Sequence, residues 1–398
     1  MSRINPSRWI NQLATGIQMN PLFRKMFEPL AFANKIVVRN RVVMAPMTTW
    51  AGNADGTISE DEIAYYRRRV NGVGLVITGC THVLANGIGF TDEFASYDDR
   101  FIPSLRRLAE AAKSGGAPAV LQLFHAGSKA LPALVPGGDV IAASAVSTDA
   151  GPFGVPALTP RALSHDEIQY VIRAFGDATR RAIEAGFDGI ELHGAHGFLI
   201  QNFFSPKFNQ RTDEWGGSLE NRMRFPLAVV QEVRRVIEAH ANRPFLLGFR
   251  ISPDESGEGG LRIDDSCVLI DRLIDSSIDY LHVSLASVLA AVPVDSTGEK
   301  TTAVWLLDHV DGRVPVIAAG QIRHPSQAVE ALDLGLHLVA IGQSLVMNPD
   351  WVELAQNNLE GRIVTTLNPS KISQMVVPEK LLAVIEATPG WFKLQASQ

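Results

Sequence analysis

The chain has 398 residues, 46% hydrophobic and 20% charged, with a formal net charge of −6. It can therefore bury a large core, as one long α/β barrel or two ordinary domains. The acidic balance with no basic stripe excludes a nucleic-acid footprint. Two cysteines, Cys80 and Cys267, are too few for a disulfide scaffold or a cysteine-ligated iron–sulfur cluster.

The N-terminal MSRINPSRWINQLATGIQMNPLF lacks the apolar core of a signal peptide, and no run is long enough to span a bilayer. The expectation is a soluble cytoplasmic protein with no membrane partner, its oligomeric state (homo-oligomer included) left open. Residues 1–26 read as an N-terminal extension. Leu30–Val43 reads as a hairpin with Ala33-Asn34-Lys35 near its turn, closing the bottom of a barrel.

Short apolar runs then recur with helical stretches between them: Val42–Met47, Gly74–Gly79, Ala119–Phe124, Asp188–His193, Phe245–Arg250, Tyr280–Ser284, Pro315–Gly320 and Leu338–Gly342. Each is near-continuously apolar rather than alternating, as in strands covered on both faces. Eight such strands with crossover helices predict an α/β fold, a (β/α)₈ TIM barrel over residues 27–365. Ser59 and Ser164 each head an S-x-x-E capping box, placing helices from about Glu60 to Val70 and from Ser164 to about Ala185, with Gly186 as a left-handed cap. Gly127–Pro160, rich in Pro, Gly, Ala and Ser, reads as a long lid excursion after the third strand. The tail over 366–398 carries one helical pattern, Glu379–Ala387, and then Pro389-Gly390-Trp391-Phe392.

The most informative stretch is Asp188–Phe225, DGIELHGAHGFLIQNFFSPKFNQRTDEWGGSLENRMRF. A buried strand ends in His193, and His196 follows where the strand turns into a loop. The carboxyl end of a barrel strand is where such enzymes keep their chemistry. Two neutral imidazoles can donate N–H bonds to one carbonyl or phenolate oxygen. A metal site and a purely structural pair are the alternatives, with Glu191 the one visible third ligand.

The His-x-x-His pair followed by Arg211-Thr212-Asp213-Glu214-Trp215-Gly216-Gly217-Ser218 resembles the old yellow enzyme family of FMN-dependent oxidoreductases, and the likeness runs from Phe27 to Leu359. The resemblance implies non-covalent FMN at the carboxyl face of the barrel, NADH or NADPH as reductant, and a small-molecule electron acceptor. It puts Arg250 against the N1–O2 edge of the flavin, where a cation stabilises the reduced ring. Gln122 would bond the pyrimidine, Ala45-Pro46-Met47-Thr48 would run along the ring, and the Cys80 amide would face it. Gly320-Gln321 and Gly342-Gln343 would offer backbone donors to the phosphate. Trp50 would wall the substrate pocket, with a packed core indole as the alternative.

Two departures from the family stand out. Gln343 occupies a position where an arginine is usual, a loss of about 1.5–3 kcal/mol for a charged hydrogen bond. Phe198 stands where relatives place a proton-donating tyrosine. Tyr97, or water, is then the expected surrogate acid, and nitroarenes and quinones are expected to be better acceptors than simple enones. A binding or regulatory barrel with little turnover is the rival reading that these losses support. A metal-dependent barrel hydrolase would leave Arg250 and Gln122 without a role.

Overall fold

In the computed structural model, which describes residues 20–395, eight parallel strands close into a barrel. Most of the expected N-terminal extension and the last residues of the tail lie outside the described residues. The barrel strands are β1 (Val42–Met44), β2 (Leu75–His82), β3 (Ala119–Phe124), β4 (Gly189–Gly194), β5 (Leu246–Ile251), β6 (Tyr280–Ser284), β7 (Val316–Ala319) and β8 (Leu338–Ile341). Each pairs with the next in chain order, and β8 closes on β1 with Val339 beside Val42. Every residue of β2 to β5 is buried, which is why these strands read as near-continuous apolar runs whose few polar members lie toward the mouth.

Two cores result. One lies between the strands and the surrounding helices and includes Leu121, Phe175, Val229 and Leu269. The other fills the barrel's lower interior with Val43, Ile77, Val120, Leu246, Tyr280 and Leu338. The expected hairpin, Leu30–Ala31 antiparallel to Val37–Val38, sits under this second core, with Phe32 against Tyr280 at 6.0 Å between ring centroids. The Tyr280 ring occupies space that any side chain at Gly248 would fill.

Both helix starts hold, but only Ser164 forms a full capping box; at Ser59 the Glu62 carboxylate bonds Thr49 instead of closing the box. The Glu62 amide donates to Ser59 Oγ at 3.1 Å, and Ser164 and Glu167 cap each other reciprocally at 3.3 and 2.7 Å. Each cap contributes about 1 kcal/mol. Helices span Glu60–Arg69 and His165–Ala185, and Gly186 ends the second at φ 94°.

The excursion after β3 is fastened rather than loose. Ile141–Ala142 pairs with Arg161–Ala162, and Thr148 pairs with Leu158. Arg211 Nη1 donates to the carbonyls of Ala143 and Leu163 at 2.9 and 2.7 Å, while Asp213 holds the same guanidinium. The Gln210 amide donates to Ser144 Oγ at 2.9 Å. The Arg-Thr-Asp-Glu-Trp segment is thus a clamp on the excursion, and its chemistry is structural. The tail, after its helix Glu379–Ala387, brings Trp391 back to the barrel mouth.

Candidate active site

A cavity of about 570 Å³ opens at the carboxyl ends of the strands, and all eight strand ends border it. That size lies within the range of cofactor and substrate pockets. Apart from Tyr97 and Glu191, every site residue named from the sequence borders it, from Ala45, Pro46, Met47 and Thr48 after β1 to Gly342 and Gln343 after β8. The strand register explains the meeting. Cys80 sits beside Gln122 and Gln122 beside Glu191, while His193 sits beside Arg250 and Arg250 beside His282.

Arg250 is buried at the cavity floor; its Nη2 donates to Ser284 Oγ at 3.2 Å, and its Nε has no partner among the described residues. Gln122 Nε2 donates to Glu191 Oε1 at 2.7 Å, and the other Glu191 oxygen meets His282 Nδ1 at 2.9 Å. Burial alone would raise the Glu191 carboxyl, but His282, Arg250 and Gln122 overcome it and hold it below the usual range. Glu191 is therefore committed to Gln122 and His282, away from the His-x-x-His pair that the metal alternative needs it to join. Burial pushes the Cys80 thiol well up, so it packs rather than reacts; Thr48 Oγ1 lies 3.5 Å from its sulfur.

The two histidines are neutral. Burial, then His196 and Arg250, pushes His193 well below its ordinary value; desolvation, then Arg250 and Lys129, does the same to His196. The Ala195 amide donates to His193 Nδ1 at 3.2 Å, so the ring proton belongs on Nε2. His196 Nε2 lies 2.7 Å from Ser284 Oγ, and the ring centroids of the pair are 5.0 Å apart. His193 is thus the donor with a free N–H, and His196 shares Ser284 with Arg250.

Phe198 packs its ring at 4.8 Å and 88° to His193. Tyr97, named with water as a surrogate acid, is not at the site. It does not border the cavity; its ring packs against His82 and, edge-on, against Phe101, and its hydroxyl accepts from Arg100 at 3.0 Å. Lys129, which the sequence reading passed over, does border the cavity, with Nζ 5.8 Å from the Phe198 centroid.

Across the cavity, Gln343 Nε2 donates to the Trp391 carbonyl at 2.6 Å, so it holds the tail. The cation on this wall is Arg323, also unnoticed in the sequence. Its side chain has no hydrogen bond or ion pair among the described residues, and its Nε is buried. Its backbone is fixed: Trp351 Nε1 and Ser344 Oγ donate to its carbonyl at 2.9 and 3.3 Å, and its amide donates to Gln327 Oε1 at 2.9 Å. A cation three residues past the glycine that ends the seventh strand was the signal available. The roof is aromatic: Trp50 lies 5.4 Å from Phe90, 5.4 Å from Phe153 and 5.9 Å from Trp391. Trp50, Phe153, His196 and Gln321 all border the cavity at positive φ, and such strain gathers at functional sites.

Three cations (Arg250, Arg323 and Lys129) and no carboxylate line the cavity. Cations without a carboxylate, beside the glycine-ended seventh and eighth strands, make the barrel mouth suited to an anionic, phosphorylated ligand. The NADH:flavin oxidoreductase / NADH oxidase family profile matches residues 25–362, and the chain belongs to that family.

A probable NADH-dependent flavin oxidoreductase, YqiG, of Bacillus subtilis is 41% identical over 94% of this chain and 99% of its own length. An NADH:fumarate oxidoreductase of Klebsiella pneumoniae is 39% identical over 82% of this chain, which spans only 35% of that protein. The solved old yellow enzyme homologue of Zymomonas mobilis superposes with a TM-score of 0.72 at 27% identity, covering 89% of this chain and 99% of the other.

FMN is the family's cofactor and NAD(P)H its reductant. The cavity fits that group. The Nε atoms of Arg250 and Arg323 are buried without partners among the described residues, and at Gly320 a side chain would strike the Leu285 carbonyl. Among the described residues no helix is long and apolar enough to cross a membrane.

Proposed function

We propose that the protein passes electrons from NAD(P)H to a small electron-poor acceptor, an α,β-unsaturated carbonyl, nitroarene or quinone, bound between His193 and the aromatic roof. When bound, FMN supplies two-electron hydride chemistry. The protein's part is to hold and polarise. With FMN bound, Arg250 would stabilise the ring edge that gains negative charge on reduction, and Gln122, held by Glu191, would offer its amide to the pyrimidine. Arg323 and the amides after β7 and β8 would hold its phosphate. The observation that carries the reading is the neutral His193, whose free Nε2–H faces the same cavity as Arg250. An N–H donor placed there draws charge onto an acceptor's carbonyl oxygen. Trp50, Phe90 and Phe153 exclude water and favour flat acceptors.

Arg323 restores the positive charge lost at Gln343, which removes one support of the slow binding-barrel rival. The test is anaerobic. The FMN-loaded protein should be bleached by NADH or NADPH, and its colour should return with cyclohexenone, a nitroarene or benzoquinone. A protein bleached by neither nucleotide, or one that no acceptor reoxidises, contradicts the proposal.

A further inference from the structure

We propose that the Lys129 ammonium is the acid that protonates the α-carbon of a reduced enone, in place of the tyrosine missing at Phe198. This rests on the flavin-reductase reading of the cavity. Six titratable side chains border it: Cys80, Lys129, His193, His196, Arg250 and Arg323. A guanidinium holds its protons too tightly to give one up, and a neutral imidazole N–H is no acid near neutral pH. The Cys80 thiol is buried under the ring wall with its pKa raised. Lys129 alone can release a proton and take one back.

Its placement suits the task. Nζ stands 5.8 Å from the Phe198 centroid, beside the histidine pair that faces the reacting oxygen. It donates one hydrogen bond, to the His196 carbonyl at 2.5 Å, and among the described residues it has no ion-pair partner. An ammonium carries three donors, so two remain for the cavity. The loop beneath is rigid. Gly127 and Ser128 amides donate to His125 Nδ1 and Asn202 Oδ1 at 3.0 and 3.1 Å, and the Lys129 amide to the Ala126 carbonyl at 3.1 Å. Burial lowers the ammonium pKa below the ordinary lysine value, against the pull of Glu255, and a more loosely held proton makes a better acid near neutral pH.

The step balances. Hydride arriving at the β-carbon leaves an enolate whose oxygen His193 faces. The enolate's electron pair forms the new C–H bond at the α-carbon as an N–H bond of Lys129 breaks, and the neutral amine regains its proton from water.

Stopped-flow reoxidation of the NADH-reduced holoenzyme by cyclohexenone and by benzoquinone tests this, because the quinone needs no carbon protonation. In Lys129→Met the enone-to-quinone rate ratio should fall by about 10²–10⁴, the usual contribution of a positioned acid. Lys129→Arg, which keeps the charge and the tether to His196 but cannot release a proton, should fall as far. In wild type the enone rate should decline as pH rises through the lysine pKa, and both variants should lack that decline. Adding Phe198→Tyr to Lys129→Met should recover the ratio at least tenfold. A wild-type ratio in Lys129→Arg, or equal slowing of both acceptors in Lys129→Met, overturns the assignment. A protein that NADH cannot reduce fails earlier, before any acceptor is mixed in, and takes the parent reading down with it.

Discussion

Gln343, where the family resemblance leads one to expect an arginine, and Arg323 on the same wall lead to a quantitative expectation. Arg323→Ala removes a guanidinium that has no protein partner among the described residues and whose buried Nε faces the glycine-ended loops. A hydrogen bond to a charged group contributes about 1.5–3 kcal/mol. At about 1.4 kcal/mol per tenfold, FMN affinity should drop roughly ten- to a hundredfold. Riboflavin has the same ring and no phosphate, so its affinity should stay within about twofold of wild type. Titration of each flavin into apoprotein, read by quenching of flavin fluorescence, gives both constants. The FMN penalty should also shrink at high salt as screening grows. Gln343→Arg should recover little in the Arg323→Ala background, because it gives up the 2.6 Å bond to the Trp391 carbonyl that holds the tail. Equal weakening of FMN and riboflavin would show that Arg323 shapes the loop and does not read the phosphate. An unchanged FMN constant would refute the reasoning outright.

Other expectations follow from the same geometry. Para-substituted phenols should bind the oxidised flavoprotein with a long-wavelength absorption band, and His193→Ala should abolish it while His196→Ala, whose ring nitrogen is shared with Ser284, only weakens it; unchanged phenol affinity in both variants puts the oxyanion site elsewhere. Burial raises the Glu62 carboxyl from 4.5 to about 7 despite its bond to Thr49. A raised folded-state pKa means stability present below the unfolded value and lost as pH climbs from about 4.5 to 7, by up to about 3 kcal/mol. Glu62→Gln should therefore flatten the denaturation midpoint across that window and be the more stable protein at pH 8, and an unaltered pH profile would contradict the assignment. Arg211→Ala should free the excursion from Ala143 and Leu163, seen as faster proteolysis between Gly127 and Pro160 with the barrel intact; undiminished protection there would show that other contacts hold it.

Strands buried on both faces announce themselves as apolar runs, and that made the barrel readable. Their ends were less so. β1 stops at Met44 rather than Met47 because Pro46 has no amide to extend the ladder. β2 runs on to His82 because its pairing with β3 resumes at Cys80 after an irregularity past Ile77. Site residues on strand ends, such as Gln122, His193 and Arg250, were legible because their positions follow from the strands. Lys129, Arg323, Phe153 and Trp391 were not, since loops and the tail bring them to the mouth and no periodicity marks where a loop returns. Tyr97 shows the converse error: it follows β2 on the catalytic side, yet packing against His82 and Phe101 keeps it from the cavity.

The central claim is that the cavity at the strand ends holds FMN with Arg250 at its reducible edge. The most direct measurement is the visible spectrum of desalted protein after incubation with FMN, taken for wild type and Arg250→Ala and followed by spectroelectrochemical reduction. Wild type should stay yellow, and the variant should either lose its colour or reduce at a lower potential, because the buried cation that stabilises the reduced ring is gone. A wild-type protein that stays colourless in excess FMN, or a variant with unchanged colour and potential, would contradict the account.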